Sequence, residues 1–237
     1  MAEFAAAAGV SRATFYRAFE TRDALLEALD VPPEPGTRAR ILEIALKLVG
    51  AQGLTALSMD DLATQADVSR ATLYRLFPGK AALFTSVVHE FSPLEPVSHL
   101  LSSRQDEPPE VLMPEIARTV YRTLYGGGES RLGMLRAMFF EINSLSPDSA
   151  EAAHDAIRSL VGSLALYVVQ NMRSGRLRPM HPLLALQSFV GPVFFHLMTR
   201  PLAERLLGFD MDGEQAVTLL AENWLRAMQR GEGDADE

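Results

Sequence analysis

The sequence predicts an all-α fold, and three observations carry that expectation. Apolar residues recur throughout at helical spacing. No stretch shows the period-2 alternation of Val, Ile and Thr that marks a half-buried strand. Glycine or proline falls between successive apolar stretches, where helices end. The chain has 237 residues, 48% hydrophobic and 22% charged, which is globular usage and excludes wholesale disorder. Cysteine is absent, which removes disulfide scaffolds, thiolate zinc sites and cysteine nucleophiles. The opening MAEFAAAAGV lacks a basic region and carries Glu3, a poor secretory leader. The longest apolar runs, 160–169 and 189–198, each contain Gly or a polar residue and fall short of the roughly 18 residues of a bilayer span. A cytoplasmic location with no membrane partner is expected.

Taken in order, the elements begin with an i, i+3, i+4, i+7 stripe of Ile41, Ile44, Ala45 and Leu48, with Thr37 as N-cap and Gly53 just past the end. Ser58 opens a two-turn helix that turns Met59, Leu62 and Ala63 inward, and Asp61 three residues on resembles a capping box. Asp67-Val68 turns the chain. Ser69 then caps a helix burying Leu73, Leu76 and Phe77, Pro78-Gly79 closes it, and Lys80 opens a helix carrying Leu83, Phe84 and Val87. Short helices joined by a three- to four-residue turn make a helix-turn-helix unit. Further helices are predicted at 109–125, 129–145, 147–174, 181–206 and 212–230. Residues 92–109, with four prolines, read as a loop, and 231–237 as a frayed acidic tail.

A repeat stands out. Val10-Ser-Arg-Ala-Thr-Phe-Tyr-Arg-Ala-Phe19 returns as Val68-Ser-Arg-Ala-Thr-Leu-Tyr-Arg-Leu-Phe77, and the register extends to Met1 with Met59, Ala5 with Ala63, Ala8 with Ala66 and Leu25 with Leu83. The first copy lacks a counterpart of residues 37–53. The expected organisation is therefore a partial duplicate with a Pro-rich linker (1–36), a helix-turn-helix domain (37–84), a helical body (85–230) and the tail (231–237). A chain that naturally begins upstream of Met1 with a complete unit is a further reading.

Charge is uneven. The net charge is −8, yet residues 37–84 hold six basic residues against four acidic ones, a locally basic segment on an acidic body. With Val68, Leu73, Leu76 and Phe77 inward, Arg70, Ala71, Thr72 and Arg75 point outward and Tyr74 sits at the margin. Arg70 can give two hydrogen bonds to guanine O6 and N7. Ala71 lets the helix approach a groove, and Thr72 offers a hydroxyl to phosphate and a methyl to thymine.

The pattern from Thr37 to about Phe84 resembles the TetR family of bacterial transcriptional regulators. It is carried by Gly53-Leu-Thr55, Ser58-Met-Asp-Asp-Leu-Ala63 and Val68-Ser-Arg-Ala-Thr-Leu-Tyr-Arg-Leu-Phe-Pro-Gly-Lys80. Gly175-Arg-Leu-Arg-Pro-Met-His-Pro182 and the apolar stretch after it look like the family's C-terminal half. The resemblance implies double-stranded operator DNA as partner, with Ser58, Ser69, Tyr74 and Lys80 among the DNA-contacting positions beside Arg70, Ala71, Thr72 and Arg75. Leu76 stands where the family often has histidine, so one phosphate contact is expected to be missing. Asp67 stands where glycine is common.

In the first copy Arg12, Thr14, Tyr16, Arg17 and Arg22 match Arg70, Thr72, Tyr74, Arg75 and Lys80, inviting a second DNA contact. A relic of duplication is the other reading, favoured by the missing helix and by a net −3 over residues 1–36. For the body, the resemblance implies a homodimer and a small effector. Leu183, Leu186, Gln187, Val190 and Phe194, with Leu220 and Trp224, are the expected interface. Tyr121, Tyr125, Met134, Met138, Phe139, Asn143 and Tyr167 are the candidate pocket for an apolar or amphipathic effector, with plain core as the competing explanation. The five histidines have no zinc-ligand spacing and no nucleophile elbow or P-loop occurs. No enzyme, metal or cofactor is expected.

The sequence reading is thus a DNA-binding repressor released by a small molecule. Its alternatives are an effector-independent DNA-binding dimer, and a helical enzyme or carrier using the helix-turn-helix for protein contacts.

Overall fold

The computed structural model describes residues 9–18, 36–53, 55–126, 129–141, 147–208 and 211–229; at 12, 16, 18, 129–130, 138–141 and 147–157 it describes the backbone alone. The chain divides into two compact units, Met1–Arg40 and Ile41–Glu237. Every regular element among the described residues is a helix.

In the first unit, α1 (Arg12–Ala18) is the described element of the repeat. It is entered through Gly9 at φ +67° and capped by Ser11, whose Oγ accepts from Thr14 N–H at 3.1 Å. The linker before Gly36 and the counterparts Met1, Ala5, Ala8 and Leu25 lie outside the described residues.

Helix α2 (Thr37–Gln52) starts one residue earlier than a Thr37 cap implies: the Gly36 carbonyl takes the first helical bond, from Arg40 N–H at 3.0 Å. Its buried face is Ile41, Leu42, Ala45, Leu46 and Val49, while Ile44 and Leu48 are only partly covered. The face is wider than the four-residue stripe because the helix is covered from more than one side. Gly53, at φ +84°, ends it as expected.

Helices α3 (Met59–Gln65), α4 (Arg70–Leu76) and α5 (Lys80–Phe91) follow. Their buried residues Met59, Leu62, Ala63, Leu73, Phe77, Leu83, Phe84, Val87 and Val88 join those of α2 in one core. The expected loop at 92–109 contains α6 (Leu94–Ser103), which buries Val97 and Leu101. The reason lies in where the prolines fall. Pro93 is the N-cap and Pro96 the third helical residue, while Pro108 and Pro109 are the N-cap and first residue of α7 (Pro109–Tyr125). A first turn has no acceptors for its N–H groups, so proline costs little there.

The body continues with α8 (Glu129–Glu141), α9 (Pro147–Arg173), α10 (Pro182–Leu207) and α11 (Gly213–Met228). Helix α7 packs along α11, and α9 packs against α5, α6 and α10. A second core gathers Leu112, Met113, Ile116, Leu124, Val168, Phe189, Val217 and Trp224, among others. Helix α8 bridges the two cores: Met134 and Ala137 enter the first and Leu135 the second. Gly133 of α8 lies so close to Gly50 of α2 that a Cβ there would meet the Gly50 carbonyl oxygen at 2.4 Å.

Helix α10 is long and apolar enough, by length and composition, to cross a membrane. A count of apolar runs does not register this, because an average over the helix also takes in Gln187 and Ser188 between apolar neighbours.

Candidate nucleic-acid interface

The turn between α3 and α4 is set by hydrogen bonds within the backbone. Asp67 N–H donates to Thr64 O at 3.2 Å and Val68 N–H to Ala63 O at 3.0 Å, a Schellman closure with Asp67 left-handed at φ +49°. Glycine is the easiest residue here, and Asp tolerates the conformation at small cost. The amino-terminal copy has Gly9 at the same place and in the same region of φ.

Helix α4 then leaves the turn through its cap. Ser69 Oγ accepts from Thr72 N–H at 3.1 Å and lies 2.9 Å from Thr72 Oγ1. One of those hydroxyls donates to the other, so the pair keeps a single O–H for anything outside. Leu73 and Phe77 are buried and Leu76 is half-buried, which fixes the rotation of the helix. Ser69, Arg70, Ala71, Tyr74 and Arg75 are consequently exposed, and Thr72 is half-exposed. Ser58 caps α3, its Oγ accepting from Asp61 N–H at 3.3 Å. Lys80 is exposed at the first position of α5.

Sequence reasoning missed a partner at this surface. Arg70 Nε lies 2.8 Å from Asp60 Oδ1 on the second residue of α3, with both side chains more than half exposed. In the first copy Thr14 and Arg17 are exposed, while the side chains of Arg12 and Tyr16, and Arg22 altogether, lie outside the described residues.

The body residues singled out by sequence fall in three places. Tyr121 and Tyr125 stack at 4.8 Å, and Arg200 lies over both rings while donating to Tyr121 Oη at 2.9 Å. Tyr125 donates to Leu197 O at 2.9 Å. Tyr167 sits in the second core and donates to Glu107 O at 2.7 Å; burial pushes its hydroxyl up to about 12. Met134 is fully buried in the first core. Tyr121 and Tyr125 pack against the same core that holds Tyr167, while Met138, Phe139 and Asn143 lie outside the described side chains.

Of the expected interface residues, Leu183, Gln187 and Val190 are exposed, and Phe194 and Leu220 are half-buried. Leu186 and Trp224 belong to the second core, the indole N–H donating to Ala185 O and Ser188 Oγ at 3.0 Å each. Leu184, Phe195, Leu202, Leu206 and Met211 are further exposed apolar residues. An open cavity of about 520 Å³ lies on this side of α10 and α11, lined by Phe195, His196, Arg200, Glu204 and Leu219 among others. His196 Nε2 is buried without a hydrogen-bond partner, and burial holds the imidazole below its usual range.

A capped helix joined through a left-handed turn to the helix before it makes a helix-turn-helix unit, followed in the chain by a larger set of helices. Residues 1–29 and 41–87 both match the family model described as bacterial regulatory proteins, tetR family. No curated protein sequence matches the chain. Among solved structures, the TetR family transcriptional regulator PfmR from Thermus thermophilus is similar at 21% identity and a TM-score of 0.61, with 81% of this chain and 100% of that chain covered. FadR from Bacillus subtilis, in complex with stearoyl-CoA, is similar at 13% identity and a TM-score of 0.62, covering 80% and 98%. AibR, in complex with isovaleryl coenzyme A and operator DNA, is similar at 18% identity and a TM-score of 0.58, covering 81% and 97%. The two matched segments carry the family's helix-turn-helix pattern, and the solved structures share the fold of the chain.

Proposed function

We propose that this chain is a TetR-family transcriptional regulator, a homodimeric repressor released from its operator by a small apolar or amphipathic effector. The observation that carries the DNA reading is the rotation of α4, which buries Leu73 and Phe77 and leaves Arg70, Ala71, Tyr74 and Arg75 on the open side. Arg70 reads a guanine and Ala71 permits close approach. Thr72, Ser69, Tyr74 and Arg75 hold the backbone around it, and Ser58 and Lys80 take phosphates at the flanks. Lys80 adds its charge to the open N–H groups that begin α5. The first copy's Arg12, Thr14, Tyr16 and Arg17 are left as a relic.

The second subunit is supported by the exposed apolar side of α10 and α11, centred on Phe195, which is 69% exposed. A twofold partner presenting the same side would cover it. Two recognition helices ~34–36 Å apart then meet successive major grooves, and an effector that binds better to another spacing lowers DNA affinity. Amphipathic effectors are supported by two of the similar structures, which hold acyl thioesters of coenzyme A. Within this chain Tyr121, Tyr125, Met134, Met138, Phe139, Asn143 and Tyr167 are the proposed pocket residues.

Footprinting on the DNA beside its own gene should give a two-fold symmetric protected site. Titration with acyl-coenzyme A thioesters of increasing chain length should release it, with free coenzyme A as control. A protein that protects no site at low salt overturns the reading.

A further inference from the structure

The Asp60–Arg70 pair joins two helices across the turn, ten residues apart in sequence, and the hydrogen bonds that make the turn and the cap do not include it. At the repeat's register Arg12 matches Arg70, but Ala2 stands where Asp60 stands, and that copy still forms a left-handed turn at Gly9 and a Ser11-capped helix. An exposed ion pair also adds little to stability. A carboxylate on a surface that meets phosphates lowers affinity for every DNA sequence, since it carries the phosphates' own sign. Its place in the first turn of α3 suits the helix dipole, but that does not account for its pairing with Arg70 on the next helix.

We propose that Asp60 is a positioning residue for base reading, a proposal that rests on Arg70 contacting a base. A guanidinium offers five N–H donors in a planar fork. With Asp60 Oδ1 2.8 Å from Nε, the carboxylate takes the inner edge of the fork. The Nη1 and Nη2 end is left for guanine O6 and N7, a bidentate contact that needs the plane fixed. Without Asp60 the long side chain is free to swing to a neighbouring phosphate, where its charge is satisfied without reading sequence. The carboxylate thus gives up general affinity and gains discrimination, because a guanidinium already paired gains less from a phosphate than from a base edge it is aimed at.

The two effects have opposite signs, and this makes the proposal testable. An operator is first selected from random duplexes with the native protein. Dissociation constants are then measured for that operator, its single-base variants and unrelated DNA. The proteins are the native chain, Asp60→Ala, Asp60→Asn, Arg70→Ala and the double variant Asp60→Ala/Arg70→Ala, with circular dichroism to verify folding. Arg70→Ala should flatten preference at one base pair of each half-site. Asp60→Ala should bind unrelated DNA more tightly and lose about tenfold discrimination at that same base pair. Asp60→Asn, which keeps an acceptor but no charge, should fall between. The double variant should discriminate no worse than Arg70→Ala alone. Tighter binding to all DNA by Asp60→Ala with every base preference intact overturns the positioning role. If Arg70→Ala itself leaves every base preference unchanged, the underlying reading of Arg70 fails instead.

Discussion

A single methyl group at Gly133 should disturb the seat of the helix-turn-helix core on the body. A Cβ built there falls 2.4 Å from the Gly50 carbonyl oxygen, 2.5 Å from its Cα and 2.8 Å from its carbonyl carbon. Non-bonded atoms sit comfortably at ~3.5–4.0 Å, so α8 and α2 must separate by about 1 Å. The obstacle is backbone, which cannot rotate aside as a side chain can. Two effects compete in Gly133→Ala: alanine gains about 0.5–1 kcal/mol over glycine in a helix interior, and overpacking costs about 1–3 kcal/mol. With backbone on the far side the cost lies toward the upper end, and a net loss of about 1–2 kcal/mol is expected. At roughly 2–4 °C per kcal/mol for a chain of this size, the melting midpoint should fall by several degrees. Gly162→Ala is the control, since it lies in α9 with nothing within 4 Å of its Cβ and should melt slightly higher. Scanning calorimetry of both variants, with operator binding on the same samples, reads the result. A Gly133→Ala protein that melts at or above the native temperature would refute the close crossing.

Lys80→Ala should weaken all DNA sequences alike and lower the salt slope by about one unit, where a base-reading residue would change preference; binding isotherms across salt decide. Phe195→Arg should halve the mass seen by light scattering and abolish operator binding, and a dimer unaffected by that charge would remove the α10 face as the interface. His196 is held below 6.5 in the folded chain by burial, with the nearby Arg200 acting in the same direction. The unfolded state therefore takes up the proton first, and stability should drop as pH falls below about 7 and level off once the folded imidazole is protonated. Thermal melts of native protein and His196→Gln across that window should diverge, and parallel curves count against it. Removal of residues 1–36 should leave the footprint unchanged, and a footprint shortened by several base pairs would assign the first copy a DNA contact.

The helix-turn-helix elements were legible because their ends are written in local chemistry. Ser58 and Ser69 cap their helices and Asp67 takes the left-handed position in the closing turn, each through bonds spanning five residues or fewer. The same local rules misled at 92–109, where prolines were counted as breakers although they stand in first turns. What stayed hidden depends on pairs that no period links. Asp60 meets Arg70 across a turn, Gly133 meets Gly50 across helices distant in sequence, and Arg200 covers two tyrosines of α7. Trp224 and Leu186, grouped with the interface by their apolar spacing, pack inside the protomer, because a stripe tells that a side is covered and not by what.

Helix α10 shows why that ambiguity is built into this chain. Ala185, Leu186, Phe189, Val193 and Leu197 face the second core, while Leu183, Leu184, Val190, Phe195, Leu202 and Leu206 remain exposed. Apolar residues on both sides erase the amphipathic signal, and the same doubling gives the helix the length and composition of a membrane span. The polar groups near its second half distinguish the two settings. Arg200 is tied to Glu204, to Tyr121 and to the Met211 carbonyl, all within the protomer. Hydrocarbon would leave the partly exposed Glu204 and the solvent-facing edge of this cluster without water, whereas a protein partner admits water at its rim. The proposed second copy would cover the exposed apolar side and leave the polar cluster in contact with water, and Phe195, the most exposed ring on that side, is where the two accounts separate experimentally.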